Sequence, residues 1–167
     1  MWDTGDAHFP PPEAHLVITG VHHFALTVSD AERSIAFYRD RFGLEVAADR
    51  EVQGDYVEVI TGIPGVHSRL VHLRGYGIML ELLQYKAPLG ATSSRAFQDT
   101  GSAHICFVTD DVDAVFAQLT AAGVPIRSTA PVTTTSGPNK GGRGIYAVDP
   151  DGNAVEVVQL APHLAGA

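Results

Sequence analysis

Two histidines and two glutamates stand at matching places in this chain. His23 precedes the apolar run Phe24-Ala25-Leu26-Thr27-Val28, and His104 precedes Ile105-Cys106-Phe107-Val108. Glu81 lies inside Ile78-Met79-Leu80-Glu81-Leu82-Leu83, and Glu156 inside Ala154-Val155-Glu156-Val157-Val158. The acid follows its histidine by 58 residues in the first case and by 52 in the second. A carboxylate flanked by aliphatics is costly to bury unless something pairs with it. No Lys or Arg lies within three residues of either acid. A divalent cation would satisfy all four groups. Two neutral imidazoles and two carboxylates balance its charge, and two positions of an octahedron stay open for water or substrate. Each residue alone reads as an ordinary packed or exposed side chain, so the joint pattern carries the argument.

The elements that must position these residues repeat. Each unit reads as a His-bearing strand, an acidic helix cap, a helix, a glycine stop and further apolar strands. The histidine-to-glycine distance is 20 residues from His23 to Gly43 and 19 from His104 to Gly123, which argues for a duplicated module. Asp30 or Ser29 can cap the first helix, whose apolar stripe is Ala31, Ile35, Tyr38 and Phe42. Asp110 or Asp111 can cap the second, with Val112, Val115, Phe116 and Leu119 as its stripe. Strands are expected near 44–52, 69–74, 77–83, 125–130, 143–148 and 154–160, and residues 55–65 read equally as strand or helical turn. Each unit is then roughly β-α-β-β-β. The fold class is α+β. Residues 1–19 form an arm, 20–160 one domain (module 1 about 20–86, module 2 about 101–160), and 161–167 a tail.

Alternation along a strand sets the faces. Phe24, Leu26 and Val28 share the side suited to packing under a helix, and His23, Ala25 and Thr27 share the other. In the second module Ile105 and Phe107 face the core, with His104, Cys106 and Val108 opposite.

Composition narrows the classes. A chain of 167 residues with 45% hydrophobic residues can fill one globular core. A net charge of −8 repels phosphate backbones and makes a nucleic-acid partner a poor expectation. The apolar runs are too short for a membrane helix, and the acidic N-terminus lacks the apolar stretch of a signal peptide. The expected location is cytoplasmic. A single cysteine, Cys106, excludes an intrachain disulfide and a CxxC zinc site.

The segments His23-Phe24-Ala25, Ser34-Ile35-Ala36-Phe37-Tyr38, Gly43-Leu44, Leu80-Glu81-Leu82, His104-Ile105-Cys106 and Asp149-Pro150-Asp151-Gly152-Asn153 with Val155-Glu156 together resemble the vicinal oxygen chelate superfamily. That superfamily includes glyoxalase I, methylmalonyl-CoA epimerase, extradiol dioxygenases and the fosfomycin and bleomycin resistance proteins. The likeness covers about residues 20–160. It implies paired βαβββ modules in a curved mixed sheet that cups a metal, with His23, Glu81, His104 and Glu156 as ligands. Strand register and family pattern both favour His23 over its neighbour His22. The metal is a divalent ion, with Co, Ni, Mn, Zn and Fe all compatible with the donors. The resemblance also implies a homodimer, with sites in some members built across subunits, and a small-molecule substrate.

Four protein ligands resemble the glyoxalase and epimerase branch. The implied reaction is that of an isomerase or lyase, moving a proton beside a metal-chelated carbonyl. An iron-dependent extradiol-type dioxygenase is the alternative, and a metal-free binding or resistance protein the second alternative. Candidate proton carriers are Glu156, Glu58 and His72. Glu58 resembles the second acid/base carboxylate of bacterial epimerases, a correspondence that a helix over 55–60 would remove. The glycine-rich stretch 133–144 reads either as a lid, with Lys140 or Arg143 meeting a substrate anion, or as a solvated loop. Cys106 reads as a buried small hydrophobe rather than a nucleophile. Tyr85, Phe97 and Trp2 are candidate pocket aromatics.

Overall fold

The computed structural model describes residues 18–91 and 96–165. Module 1 runs β1 (Phe24–Thr27), α1 (Ala31–Phe42), β2 (Glu45–Gln53), α2 (Asp55–Thr61), β3 (His67–Gly75) and β4 (Ile78–Ala87). Module 2 runs β5 (His104–Val108), α3 (Val112–Ala121), β6 (Val132–Thr133), β7 (Arg143–Val148) and β8 (Ala154–Gln159). The sheets have the orders β1-β4-β3-β2 and β5-β8-β7-β6. The same order in both is the duplication written in space. In each sheet the first strand pairs parallel with the last, which itself pairs antiparallel with its predecessor.

The helix boundaries have local causes. The Asp30 carboxylate accepts the N–H of Arg33 at the start of α1, and Gly43 stops the helix in the left-handed region at φ 68°. Asp111 does the same for α3 by accepting the N–H of Ala114. Ala31, Ile35, Tyr38 and Phe42 are all buried, as are Val112 and Leu119, while Val115 and Phe116 pack at the core margin.

One open reading closes and two expectations need correction. Residues 55–61 are helical, because Gly54 breaks β2 and Val57 turns into the protein as the anchor of a short helix. Residues 125–130 hold no strand beyond a single bridge between Ile126 and Ala147, and the strand pairing with β7 is the two-residue β6. Phe24 shares a strand face with buried Leu26 and Val28 yet is 42% exposed, since it lies at the end of an edge strand and lines the cavity between the modules.

One hydrophobic cluster runs through both modules. Phe42 of α1 stacks on Phe107 of β5 with ring centroids 4.6 Å apart. A polar lock reinforces this contact. The turn Asp149-Pro150-Asp151-Gly152-Asn153 sends Asp149 inward, where it accepts bonds from the N–H groups of Asp151 and Asn153 and, at 3.0 Å, from the Tyr38 hydroxyl of α1. Asp151 accepts from the N–H and hydroxyl of Ser29, from Arg33 and from the hydroxyl of Ser34. Burial, and secondarily the Asp149 charge, pushes the Tyr38 phenol far above its ordinary value, so it stays a donor. No helix among the described residues is long and apolar enough to cross a membrane.

Tyr38→Phe keeps the packing and removes the bond to a buried carboxylate. It should lower stability by about 1.5 kcal/mol, a fall in Tm of roughly 3–6 °C for a chain of this size, measured by thermal unfolding. An unchanged Tm would show that the lock contributes nothing.

Candidate metal centre

Register places each acid between two strands. On β4, Glu81 is opposite Ala25 of β1 on one side and His72 of β3 on the other. On β8, Glu156 is opposite Cys106 of β5 and Tyr146 of β7. The two neighbourhoods are therefore equivalent by position, with His72 in module 1 where Tyr146 stands in module 2.

In module 1 the Glu81 carboxylate is buried, with a side-chain exposure of 8%. One oxygen lies 3.4 Å from His23 Nε2, and the other lies 2.7 Å from Nε2 of the buried His72. One donor atom each from His23, His72 and Glu81 lie within 4.8 Å of one another, the only such group of three among the described residues. Among the described residues no lysine or arginine contacts Glu81. This donor set fits a divalent ion: two imidazole nitrogens and a carboxylate whose negative charge has no fixed cation beside it.

In module 2 His104 Nε2 lies 3.2 Å from a Glu156 oxygen, and both side chains are more open. The Tyr146 ring meets His104 edge-on at 5.5 Å. Burial first, and then the nearby Glu156 charge, raise both the Tyr146 phenol and the Cys106 thiol, the latter to about 12. Cys106 is exposed rather than buried as expected, because its side of β5 turns away from the helix-packed core, and its raised thiol speaks against a nucleophile.

All four expected ligands thus face an acid or imidazole of the expected kind, but within one chain they form two pairs. Neither His104 nor Glu156 joins His23 and Glu81 in a group tight enough for one ion. His72 moves into the centre of module 1. Glu58 lies on α2, the helical outcome that removes its correspondence to an epimerase acid/base, and among the described residues its side chain makes no hydrogen bond or ion pair to the centre. Arg143 is committed elsewhere, since its guanidinium clasps Asp113 of α3. Lys140 is exposed on the turn before β7. Neither cation lines the cavity between the modules, whose volume is about 1080 Å³ and whose walls include Phe24, Tyr85, Phe97, His104 and Tyr146. Trp2 lies outside the described residues. Tyr146 escaped sequence reasoning, although its place one strand from Glu156 was available from the repeat. His22 was set aside, yet its Nδ1 lies 2.8 Å from His23 Nδ1.

With the geometry in place, the comparisons with known proteins are informative. A family profile described as the Glyoxalase/Bleomycin resistance protein/Dioxygenase superfamily matches residues 20–157. The chain belongs to that superfamily. It is 32% identical over 145 residues to a 2-epi-5-epi-valiolone epimerase from an Actinomyces species, a match that spans 84% of this chain and 79% of the epimerase. It is 30% identical over 145 residues to a putative lactoylglutathione lyase from Brassica oleracea var. gemmifera, and spans 44% of that longer protein. The crystal structure of a glyoxalase family protein from Bacillus cereus superposes with a TM-score of 0.74 at 15% identity, covering 91% of this chain and 99% of that one. This last likeness speaks for the fold alone.

If Glu81 and His72 are held for metal rather than for folding, apolar replacements should not harm the metal-free protein. His72→Phe combined with Glu81→Leu should leave its stability unchanged or raise it by about 1–4 kcal/mol. Denaturant unfolding in the presence of a chelator measures this, and a clear loss would mark the pair as structural.

Proposed function

We propose that the protein is a divalent-metal-dependent isomerase or lyase of the glyoxalase/epimerase type. It would move a proton beside the carbonyl of a small 2-oxo, thioester or 2-hydroxycarbonyl substrate. The observation that carries this reading is the buried Glu81 carboxylate, held between His23 and His72 with no lysine or arginine partner among the described residues and echoed by His104 with Glu156. The epimerase and lyase names of its relatives support the reaction type.

His23 and Glu81 would hold the ion from module 1, and His104 and Glu156 from module 2. Because a single chain keeps these pairs apart, the full set would come from two copies of the chain, each giving one pair. A bound divalent ion supplies Lewis acidity toward a carbonyl oxygen. The protein's own groups divide the remaining work. His72 keeps the second oxygen of Glu81 occupied and so fixes the carboxylate. Glu156, with 24% of its side chain exposed, is the acid placed to exchange a proton with a substrate. Tyr146 and Phe97 give that side of the cavity an apolar wall, their rings 5.6 Å apart.

Two measurements test the proposal. Reconstitution with divalent ions under anaerobic conditions should give one ion per wild-type chain, and His104→Ala or Glu156→Ala should lose most of the metal affinity and all turnover. Equal metal content in wild type and His104→Ala would overturn the assignment, and Fe(II) preference with O2 uptake would replace it with the dioxygenase. Mixing inactive His23→Ala with inactive His104→Ala tests the shared site. Each mixed dimer contains one intact site, so statistical exchange should restore about a quarter of wild-type activity. No recovery after verified exchange would confine each site to one chain.

A further inference from the structure

We infer that the substrate carries a carboxylate beyond its chelated carbonyl, and that Arg127 is the specificity-determining residue that recognises it. The inference rests on the reading of the centre as a metal site for a small carbonyl compound. Arg127 follows the single bridge between Ile126 and Ala147, and its backbone N–H donates to the Tyr146 carbonyl at 2.9 Å. That pairing sets Arg127 opposite Tyr146, on the same side of the sheet. Tyr146 is in turn opposite Glu156. Arg127, Tyr146 and Glu156 therefore stand in one row across the face that carries the acid. Two strand spacings separate the ends of that row, about 10 Å.

The side chain is oriented but has no anion. Its guanidinium carbon lies 4.7 Å from the centroid of the Phe97 ring, a cation–π contact. Phe97 packs on Tyr146 and lines the cavity between the modules, and Tyr146 meets His104. Acids are plentiful in this chain, 19 against 11 lysines and arginines, and most described cations have one. Arg33 pairs with Asp151, Arg69 with Asp49, Lys86 with Glu51 and Arg143 with Asp113, whereas among the described residues no carboxylate pairs with Arg127. Arg41, Arg50 and Lys140 also lack such a pair, but among the described residues none of them stacks on an aromatic of the cavity wall. A planar cation laid on a ring keeps the N–H donors in its own plane free, and these match a planar carboxylate in bidentate contact. The net charge of −8 weighs against a dianion such as phosphate. Arg127 is exposed, so an incoming anion can reach it. The substrate would lie along the row, its carbonyl toward Glu156 and its carboxylate at Arg127.

Calorimetric titration of the Zn(II)-loaded protein with the monohydroxamates of succinic, glutaric and adipic acid tests this. The hydroxamate group chelates the metal, and the free carboxylate reaches outward by a different length in each. The methyl ester of each compound has the same head and tether without the charge. In wild type the acid of at least one tether should bind roughly tenfold more tightly than its ester, the low end for a charge-assisted hydrogen bond because Arg127 is exposed. Arg127→Met should abolish that preference and leave the affinity for the ester unchanged, which also shows that the cavity is intact. Arg41→Met removes the same charge from α1, on the helix-packed side, and should keep the preference. Three results would overturn the inference: no preference for the acid in wild type at any tether, a preference that survives Arg127→Met, or its equal loss in Arg41→Met. In each of them, binding of the esters leaves the metal reading standing. If neither acid nor ester binds the loaded protein, the metal reading falls and the inference falls with it.

Discussion

The site depends on one unfavourable placement, a carboxylate inside a sheet. Glu81 has leucines on both sides in sequence and strands on both sides in space, and it is nearly closed to water. Such a group is tolerated when its oxygens have partners, and here each oxygen faces an imidazole. Imidazoles solve the problem differently from lysine or arginine. They can accept or donate, they can be neutral, and they can give a lone pair to an ion. A guanidinium in the place of His72 would satisfy Glu81 permanently and leave no place for metal. Two histidines keep the charge satisfied in the free protein and available to a cation.

The scaffold that holds this arrangement is locked on the side away from the acid. Helix α1 joins the modules through Phe42 on Phe107 and through Tyr38 on Asp149, while Asp151 takes the polar groups at its N-terminal end. The short turn 149–153 thus does a structural task in a different module from the helix it grips. That explains why a turn without a ligand belongs to the pattern by which the fold is recognised. It fixes how β5 and β8 sit against α1, and so how His104 and Glu156 are presented.

Much of this was legible in the sequence because it is local. A cap at Asp30 or Ser29 and another at Asp110 or Asp111, Gly43 as a stop and the stripe from Ala31 to Phe42 follow from helical geometry alone. The matching of one histidine to one acid per module came from the repeat, and alternation along the first strand of each module set the side on which the histidine lies. Other features depended on partners that local pattern does not name. Residues 55–61 could be strand or helix until Val57 found the interior. Arg143 looked available beside four glycines because Asp113 is 30 positions away in sequence. His72 was one candidate among several until β3 paired with β4 and set it opposite Glu81. The separation of the four ligands into two pairs follows from the relative placement of the modules, which no repeat length encodes.

That separation has a consequence for how such a chain can work. A site complete within one chain would bind metal as soon as the chain folds. On the proposed reading, two pairs that one chain keeps in separate groups would share an ion only when a second copy supplies the missing pair. The half-centre of module 1 is the more closed and the more fully partnered. That of module 2 is more exposed, with His104 at 46% of its side-chain surface. On the proposed reading the closed half would hold the ion, since both oxygens of its acid are already engaged by imidazoles. On the same reading the more exposed half would meet the substrate. The same His and Glu pair, repeated by duplication, stands in two environments, with His72 beside one acid and Tyr146 beside the other.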